Sequence, residues 1–277
     1  GESVPIKNYE VPRVHHNYSE TSDDKADWNR LMEAITDGIS SGEMTKVVSS
    51  REVEFTSETP YNVASILANL VDNNPNCFIF GYEKDGRTFV GASPEILVRH
   101  RGSEILSYAL AGTAPKDGPN AWTKEQLLTS EKNLVEHNIV LDRIVNTMKQ
   151  ITPDVTVGET GIMELSHLYH LRTIITAKDS TKSLIEWAKL LHPTPALGGE
   201  PRDKALALLQ QYEAHERGMY AAPFGFMKDM GDGIIVVAIR SALIMDNVLY
   251  AYAGCGVVAD SDADEEYIET NNKMRTI

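Results

Sequence analysis

Three acidic residues stand in settings that bear on possible chemistry. Glu95 is flanked by proline and isoleucine after an apolar run, and an apolar setting raises the pKa of a carboxyl group, as a general acid requires. Glu136 falls in a helical segment, where a solvated face is the ordinary place for a glutamate. Glu269 has the i, i+4 spacing that pairs it with Lys273 on a helix. Residue types alone leave two interpretations of Glu95, a candidate acid or a half-exposed glutamate of an edge strand.

Two further patterns look like ligand sites but lack the residues that complete them. The segment Gly254-Cys255-Gly256 follows an apolar run without the later glycine of a dinucleotide-binding loop. His167 and His170 have the i, i+3 spacing of a metal pair, but the third and fourth ligands of a zinc site are missing. Neither pattern predicts a nucleotide or zinc site.

Composition and charge exclude several classes of protein. The chain has 277 residues, 42% of them hydrophobic, and a formal net charge of −14 from 26 basic and 40 acidic residues. Such a charge repels nucleic acids and anionic lipid, and no apolar stretch approaches the roughly 18 to 20 residues of a membrane span. We therefore predict a cytoplasmic protein without nucleic-acid or membrane partners, in which Cys77 and Cys255 are reduced core thiols. An anionic ligand would need local cations or a metal.

Hydrophobic periodicity predicts alternating groups of helices and hairpins. Helices are predicted over 24–42, 60–71, 122–150, 182–191, 202–213 and 262–277, the longest being 122–150, which contains neither glycine nor proline. A strand is predicted over 46–55, and hairpins turn at 84–86, 101–103 and 246–247. Hairpins separated by helices, without a βαβ alternation, predict an α+β fold with large antiparallel sheets. We expect one catalytic domain over 1–277, with an irregular segment over 1–22 in which His15 and His16 are solvated.

An ordered series of motifs runs from residue 45 to residue 273: TKVVSSR, FVGASPEIL, LAGTAP, SEKNLVEH, LYHL, HPTPALGG, ERGMYAAPFGF, AIRSALI, YAGCGVV and EEYIETNNK. Together they resemble the chorismate-utilising enzymes, which include isochorismate, anthranilate, aminodeoxychorismate and salicylate synthases. The resemblance implies the fold of anthranilate synthase component I and chorismate as a small-molecule substrate. Chains of this family usually carry more sequence before the first motif, so we expect a portion of a longer protein.

The resemblance also implies a Mg²⁺ cofactor that binds the ring carboxylate of chorismate. The family's metal-binding glutamates match Glu136 in SEKNLVEH and Glu269 in YIETNNK. Mg²⁺ prefers a few carboxylates together with waters and substrate oxygens, so these donors suit it. A bound cation would also explain how an acidic chain holds an anionic ligand.

Three residues match catalytic positions of the family. Lys46 stands before Val-Val, as in the isochorismate and salicylate synthases, where this lysine is the base that activates water. A lysine acts as a base only when it is neutral, which burial and neighbouring positive charge favour. Glu95 in GASPEIL matches the general acid that protonates the departing C4 hydroxyl, and His170 in LYHL matches a histidine that orients the reacting hydroxyl.

The remaining matched positions would bind the substrate. Arg240 in AIRSALI and Lys273 in ETNNK match cations that hold the enolpyruvyl carboxylate, and arginine offers a two-pronged match to a carboxylate. The anion pocket is completed by one side chain and by backbone amides whose glycines permit close approach: Tyr220, Gly112, Thr113, Gly254 and Gly256.

Two small residues distinguish members of the family. Ala111 stands where aminodeoxychorismate synthases carry a lysine, and Ala196 stands where salicylate synthases usually place threonine. Conversion of chorismate to isochorismate is therefore the implied activity. A salicylate synthase, which adds pyruvate elimination, is one alternative, and a catalytically silent relative that binds a carboxylated ligand is another. We expect a monomer or homodimer without an obligatory glutaminase subunit. The product would feed menaquinone or catecholate siderophore biosynthesis, of which we favour menaquinone.

Overall fold

The computed structural model describes residues 10–277, which form fourteen strands and seven helices. The strands are β1 (Tyr18–Glu20), β2 (Lys46–Ser57), β3 (Phe78–Lys84), β4 (Arg87–Ser93), β5 (Ile96–Arg101), β6 (Glu104–Pro115), β7 (Val155–Val157), β8 (Gly161–Glu164), β9 (Leu168–Lys178), β10 (Gly199–Glu200), β11 (Pro223–Met227), β12 (Gly233–Val237), β13 (Ser241–Met245) and β14 (Val248–Val257). The helices are α1 (Lys25–Ser40), α2 (Val63–Asn73), α3 (Lys124–Leu128), α4 (Glu131–Lys149), α5 (Leu184–Leu191), α6 (Arg202–Tyr212) and α7 (Ala263–Met274).

The strands form two antiparallel sheets of seven strands each, which confirms the predicted fold class. The first sheet has the order β1-β2-β14-β13-β4-β3, with β10 also pairing with β2. The second has the order β11-β12-β5-β6-β9-β7, with β8 pairing with β9. The largest apolar cluster joins the two sheets, and the rings of Phe80 in β3 and Phe224 in β11 lie 4.9 Å apart across it. Trp187 of α5 is fully buried in the same cluster.

The predicted hairpins are confirmed, because β3 pairs with β4, β5 with β6 and β13 with β14. Their turns contain residues that adopt a positive φ. Asp85 and Gly86, with φ of 52° and 73°, connect β3 to β4, and Gly102, with φ of 58°, connects β5 to β6. Asp246, with φ of 55°, begins the turn between β13 and β14. Glycine and aspartate tolerate this left-handed region better than most residues, so local sequence determines these turns.

The prediction of one helix over 122–150 is wrong, because the helix is interrupted at Thr129 and Ser130. Thr123 caps α3 in a reciprocal capping box with Gln126, and α3 ends at Leu128. The Ser130 hydroxyl then accepts from the backbone N–H of the third residue of α4 and starts a new helix. Among the described residues, no helix is long and apolar enough to cross a membrane.

The prediction of an irregular, solvated segment over 1–22 is also partly wrong. Residues 1–9 lie outside the described residues, but β1 pairs with β2 from residue 18 onward. His16 accepts from the backbone N–H of Asn62 at 3.2 Å and packs on Tyr61 with ring centroids 5.1 Å apart.

Of the two cysteines expected in the core, Cys255 is buried, whereas Cys77 is partly exposed because it precedes an edge strand.

Candidate active site

A cavity of about 40 Å³ lies where the two sheets meet helices α4 and α7. Most of the residues predicted to form a site line it: Glu95, Thr113, Glu136, His170, Ala196, Tyr220, Arg240, Gly254, Gly256 and Lys273. The other three, Lys46, Gly112 and Glu269, adjoin this lining through an ion pair or a chain neighbour. The fold thus brings together residues that are up to 227 positions apart, from Lys46 to Lys273.

Lys46 is fully buried at the start of β2, and its ammonium group faces Glu136 of α4. Its Nζ lies 3.1 Å from Glu136 Oε1, yet the direction of approach leaves Nζ without a hydrogen-bond acceptor among residues 10–277. Gly256 of β14 makes room for this pair, because a Cβ there would lie 2.0 Å from Glu136 Oε1 and 2.7 Å from Lys46 Cε. A buried, incompletely paired ammonium group is costly, so the position points to a ligand rather than to a structural ion pair.

Lys273 forms the second ion pair of the site with Glu269, one turn earlier on α7. The two side chains meet at 2.6 Å between Nζ and Oε1, and Nζ also donates to the backbone oxygen of Gly254 at 2.7 Å. Tyr220 approaches the same backbone, since a Cβ on Gly254 would lie 2.6 Å from the tyrosine hydroxyl. Burial raises the pKa of Tyr220 to about 12, so its hydroxyl is a proton donor at neutral pH. The expected close backbone approach is therefore present at this glycine.

Glu95 follows β4 and is only 2% exposed. Its backbone N–H donates to Ser93 Oγ, and Oε1 is buried without a partner. Burial raises the pKa of Glu95 to about 8, although Arg240, Lys46 and Lys273 act to lower it. The carboxyl group therefore carries its proton at pH 7, as the sequence setting predicts.

Arg240 connects β12 to β13 in a left-handed conformation with φ of 51°. This conformation costs a non-glycine residue of order 1–3 kcal/mol and is typical of functional sites. The guanidinium is buried, Nη2 lies 2.7 Å from His170 Nε2, and Nε has no hydrogen-bond partner in the part of the chain that the structure describes. Burial lowers the pKa of Arg240, so the site holds a desolvated cation with an unused donor.

The hydrogen bonds of His170 define its protonation. Arginine only donates, so His170 Nε2 accepts from Arg240, and Nδ1 must carry the proton that it donates to Thr113 Oγ1 at 3.0 Å. Burial lowers the pKa of His170 far below its usual value, and Arg240 and Lys273 lower it further. His170 is therefore a neutral imidazole whose Nε2 lone pair faces Arg240.

Glu266 is a third buried carboxylate, which the sequence analysis did not identify. It lies one turn before Glu269 on α7, receives a hydrogen bond from Lys132 on Oε1, and leaves Oε2 buried without a partner among the described residues.

Within residues 10–277, no group of three or more histidine, cysteine, aspartate or glutamate side chains is arranged to hold a metal ion. Mg²⁺ commonly takes one or two protein carboxylates with waters and substrate oxygens, so the donor set of Glu136 and Glu269 fits it.

The sequence analysis also missed two residues of α4 that hold the wall of the cavity. Asn133 Oδ1 accepts from the backbone N–H of Thr113 at 3.1 Å, and His137 Nδ1 donates to Ala111 O at 3.0 Å. Their i, i+4 spacing around Glu136 places all three side chains on one face, and this spacing was the available signal.

Comparison with known proteins agrees with this arrangement. The family model described as "Chorismate binding enzyme" matches residues 5–277. Isochorismate synthase MenF of Bacillus subtilis is 37% identical over 258 residues, which cover 91% of this chain and 55% of that protein. The chain thus spans about half the length of this curated relative.

Two solved structures share the fold over nearly the whole chain. The menaquinone-specific isochorismate synthase MenF from Escherichia coli has a TM-score of 0.86 and 30% identity, covering 98% of this chain and 65% of that one. The 2,3-dihydroxybenzoate-specific isochorismate synthase DhbC from Bacillus anthracis has a TM-score of 0.88 and 28% identity, covering 97% and 75%. The chain belongs to the family of chorismate-binding enzymes.

Proposed function

We propose that the protein is an isochorismate synthase, which adds water at C2 of chorismate and removes the C4 hydroxyl. The observation that carries the proposal is the pairing of a fully buried lysine, Lys46, with a protonated buried glutamate, Glu95, near one cavity. A base and an acid are the two groups that this substitution requires. The names of the similar proteins support the same activity.

In the proposed reaction, Lys46 acts as a neutral amine and takes a proton from water while the water oxygen forms a bond to C2. The ring double bonds shift, the C4–O bond breaks, and Glu95 gives its proton to the departing hydroxide, which leaves as water. The high pKa of Glu95 supports this role because an acid must be protonated at working pH. His170 accepts a hydrogen bond from a ring hydroxyl and orients it. Water enters and leaves, so no redox cofactor takes part.

Arg240 and Lys273 are proposed to bind the enolpyruvyl carboxylate. Both are buried cations on the lining. Nε of Arg240 has no hydrogen-bond partner among the described residues, which supports the binding of an anion there. Tyr220 and the backbone at Gly112, Thr113, Gly254 and Gly256 complete the anion pocket. Fixed donors of this kind bind charge without reorganising.

Glu136 and Glu269 are proposed to hold Mg²⁺ at the end of the cavity that they share with Lys46 and Lys273. When bound, the ion would polarise the ring carboxylate and draw the charge of Glu136 away from Lys46. Glu266 lies beside them with a free oxygen, and Lys132 balances its charge. These residues would position the carboxylate end of the ring.

Water, rather than ammonia, is the proposed nucleophile because a buried lysine occupies position 46. Ala196 lies on the lining where the resemblance leads us to expect threonine in a salicylate synthase, which supports release of isochorismate without pyruvate elimination. A cytoplasmic location, a monomeric or homodimeric state and a role in menaquinone biosynthesis complete the proposal. The pathway stays a prediction, since the similar structures include enzymes named for menaquinone and for 2,3-dihydroxybenzoate.

The test incubates the protein with chorismate and MgCl₂ and separates the products by liquid chromatography. Isochorismate alone is the expected product. Salicylate with pyruvate would replace the proposal by the alternative synthase, and no turnover would favour a silent binding protein.

Lys46→Met should lower kcat by about 10²- to 10⁴-fold, the usual contribution of a general base. Lys189→Met, at an exposed position of α5, is the matched control and should keep wild-type activity. Full activity of Lys46→Met would refute the role of Lys46.

A further inference from the structure

The wall of the cavity contains an irregular segment of β6 that the sheet alone does not hold. The register between β6 and β9 shifts between Leu110 and Thr113, so residues 111 and 112 lack regular ladder partners; residues 111–113 are here called the β6 bulge. Gly112 has φ of 85°, and a Cβ there would lie 3.0 Å from a methyl of Leu171 and 3.1 Å from the backbone oxygen of Asn133. Position and direction of the bulge therefore depend on contacts from outside the sheet.

Helix α4 supplies these contacts from one face. The Asn133 side chain accepts from the backbone N–H of Thr113 at 3.1 Å and donates to Ser130 Oγ at 2.9 Å. Its amide orientation is defined, because only the oxygen can accept from an N–H. His137 donates from Nδ1 to Ala111 O at 3.0 Å, and both α4 side chains are buried. Two side-chain hydrogen bonds thus hold both ends of the β6 bulge.

The bulge in turn orients the ring of His170. Thr113 Oγ1 lies 3.0 Å from His170 Nδ1, and Arg240 donates to His170 Nε2 at 2.7 Å. Because Arg240 can only donate, the neutral imidazole keeps its lone pair on Nε2, and it donates its Nδ1 proton to the Thr113 hydroxyl. Movement of Thr113 away from His170 would leave that proton without this acceptor and would remove a contact that fixes the ring.

We propose that Asn133 is a positioning residue that acts through Thr113 to hold the ring of His170 in the orientation that keeps its Nε2 lone pair towards Arg240. The lone pair on Nε2 then accepts from Arg240 in the free protein and from a ring hydroxyl when Arg240 binds a carboxylate. The inference rests on the proposed function, because it gives His170 a hydroxylated ring as its partner. Asn133 itself touches no substrate in this account.

The first test is spectroscopic and needs no substrate. In protein labelled with ¹⁵N-histidine, two-dimensional ¹H–¹⁵N spectra distinguish the two imidazole nitrogens, and His170→Asn identifies the signals of His170. The wild type should show a protonated Nδ1 and an unprotonated Nε2. Asn133→Leu and Thr113→Val should shift the Nδ1–H signal and speed its exchange with solvent, because that proton loses its acceptor. Asn133→Asp should keep the wild-type signal, because a carboxylate oxygen also accepts from the backbone N–H of Thr113. Asn146→Leu, an exposed site on α4, is the matched control.

The second test measures kinetics with chorismate. Asn133→Leu should lower kcat by about 10- to 100-fold with a KM within about three-fold of wild type, because the carboxylate-binding residues stay in place. Asn133→Asp should restore most of kcat. A wild-type spectrum with the proton on Nε2, or an Asn133→Leu spectrum identical to wild type, would overturn the inference and leave the proposed activity intact. Failure of wild-type turnover would instead count against the proposed function. If Asn133→Leu does not fold, the wild-type and Thr113→Val spectra decide.

Discussion

Replacement of Glu95 by glutamine should make the protein more stable at alkaline pH, although it removes the proposed acid. The carboxyl group is 2% exposed and Oε1 has no partner, so its ionised form is poorly solvated. Burial raises its pKa from 4.5 to about 8, against the opposing effects of three nearby cations. Glutamine has almost the same shape and carries no ionisable proton.

The magnitude follows from the difference in proton binding between the folded and unfolded chains. Between pH 4.5 and about 8 the folded protein keeps the Glu95 proton and the unfolded chain has lost it, so the free energy of unfolding falls as pH rises. Each unit of pKa difference corresponds to about 1.36 kcal/mol, and 3.5 units give a loss of about 5 kcal/mol, complete above pH 8. Glu95→Gln removes this loss.

Urea denaturation between pH 5 and pH 9, without divalent cation or substrate, measures the effect. The free energy of unfolding of Glu95→Gln minus that of wild type should grow by about 1.4 kcal/mol per pH unit through this range and level off above pH 8. Glu164→Gln is the control, because Lys116 and Lys124 lower the pKa of Glu164 to about 2, outside the range of the assay. A difference that stays constant within about 1 kcal/mol would refute the buried, protonated state of Glu95.

Two further substitutions test how the site is held. Gly256→Ala places a Cβ 2.0 Å from Glu136 Oε1. Overpacking should lower the free energy of unfolding by about 1–3 kcal/mol and the activity more than ten-fold. Unchanged activity would show that the pair of Glu136 and Lys46 relaxes freely. Arg51→Ala removes a buried guanidinium that binds Asp24 at 2.6 Å and contacts α7. Urea denaturation should show a free energy of unfolding lower by about 3–5 kcal/mol. A decrease below about 1 kcal/mol would contradict a role of Arg51 in docking α7.

The fold was predictable from sequence where local chemistry decides it. Gly86 and Gly102 supply the positive φ that their turns need, and strand pairs on either side follow from the alternation of apolar residues. The break between α3 and α4 was not predicted, because no glycine or proline marks it. Ser130 breaks the helix by capping α4 with its side chain, and a serine within an apolar helical pattern is equally compatible with a continuous helix.

The candidate site was predictable only as a set of residues. Motif resemblance selected Lys46 and Glu136, but their contact joins positions 90 residues apart, and nothing local in either segment encodes it. Without the resemblance, Glu136 is expected on a solvated surface, whereas it is 9% exposed. Asn133 was missed because its role depends on the bulge of a distant strand.

The charge of the cavity differs from the charge of the chain, and this difference explains how an acidic protein can bind a dianion. In the free protein, with Lys46 as an ammonium group, the cations Lys46, Lys273 and Arg240 outnumber the carboxylates Glu136 and Glu269 by one. Glu95 and His170 are neutral, so the site carries one excess positive charge in a chain of net charge −14. Groups buried around the cavity are screened far less than surface charges, so the local excess determines the affinity for small carboxylates. The surface charge acts at longer range and repels polyanions. A ligand with two carboxylates would leave the site with one negative charge, which a divalent cation at Glu136 and Glu269 would reverse. Cation and ligand should therefore each favour the binding of the other.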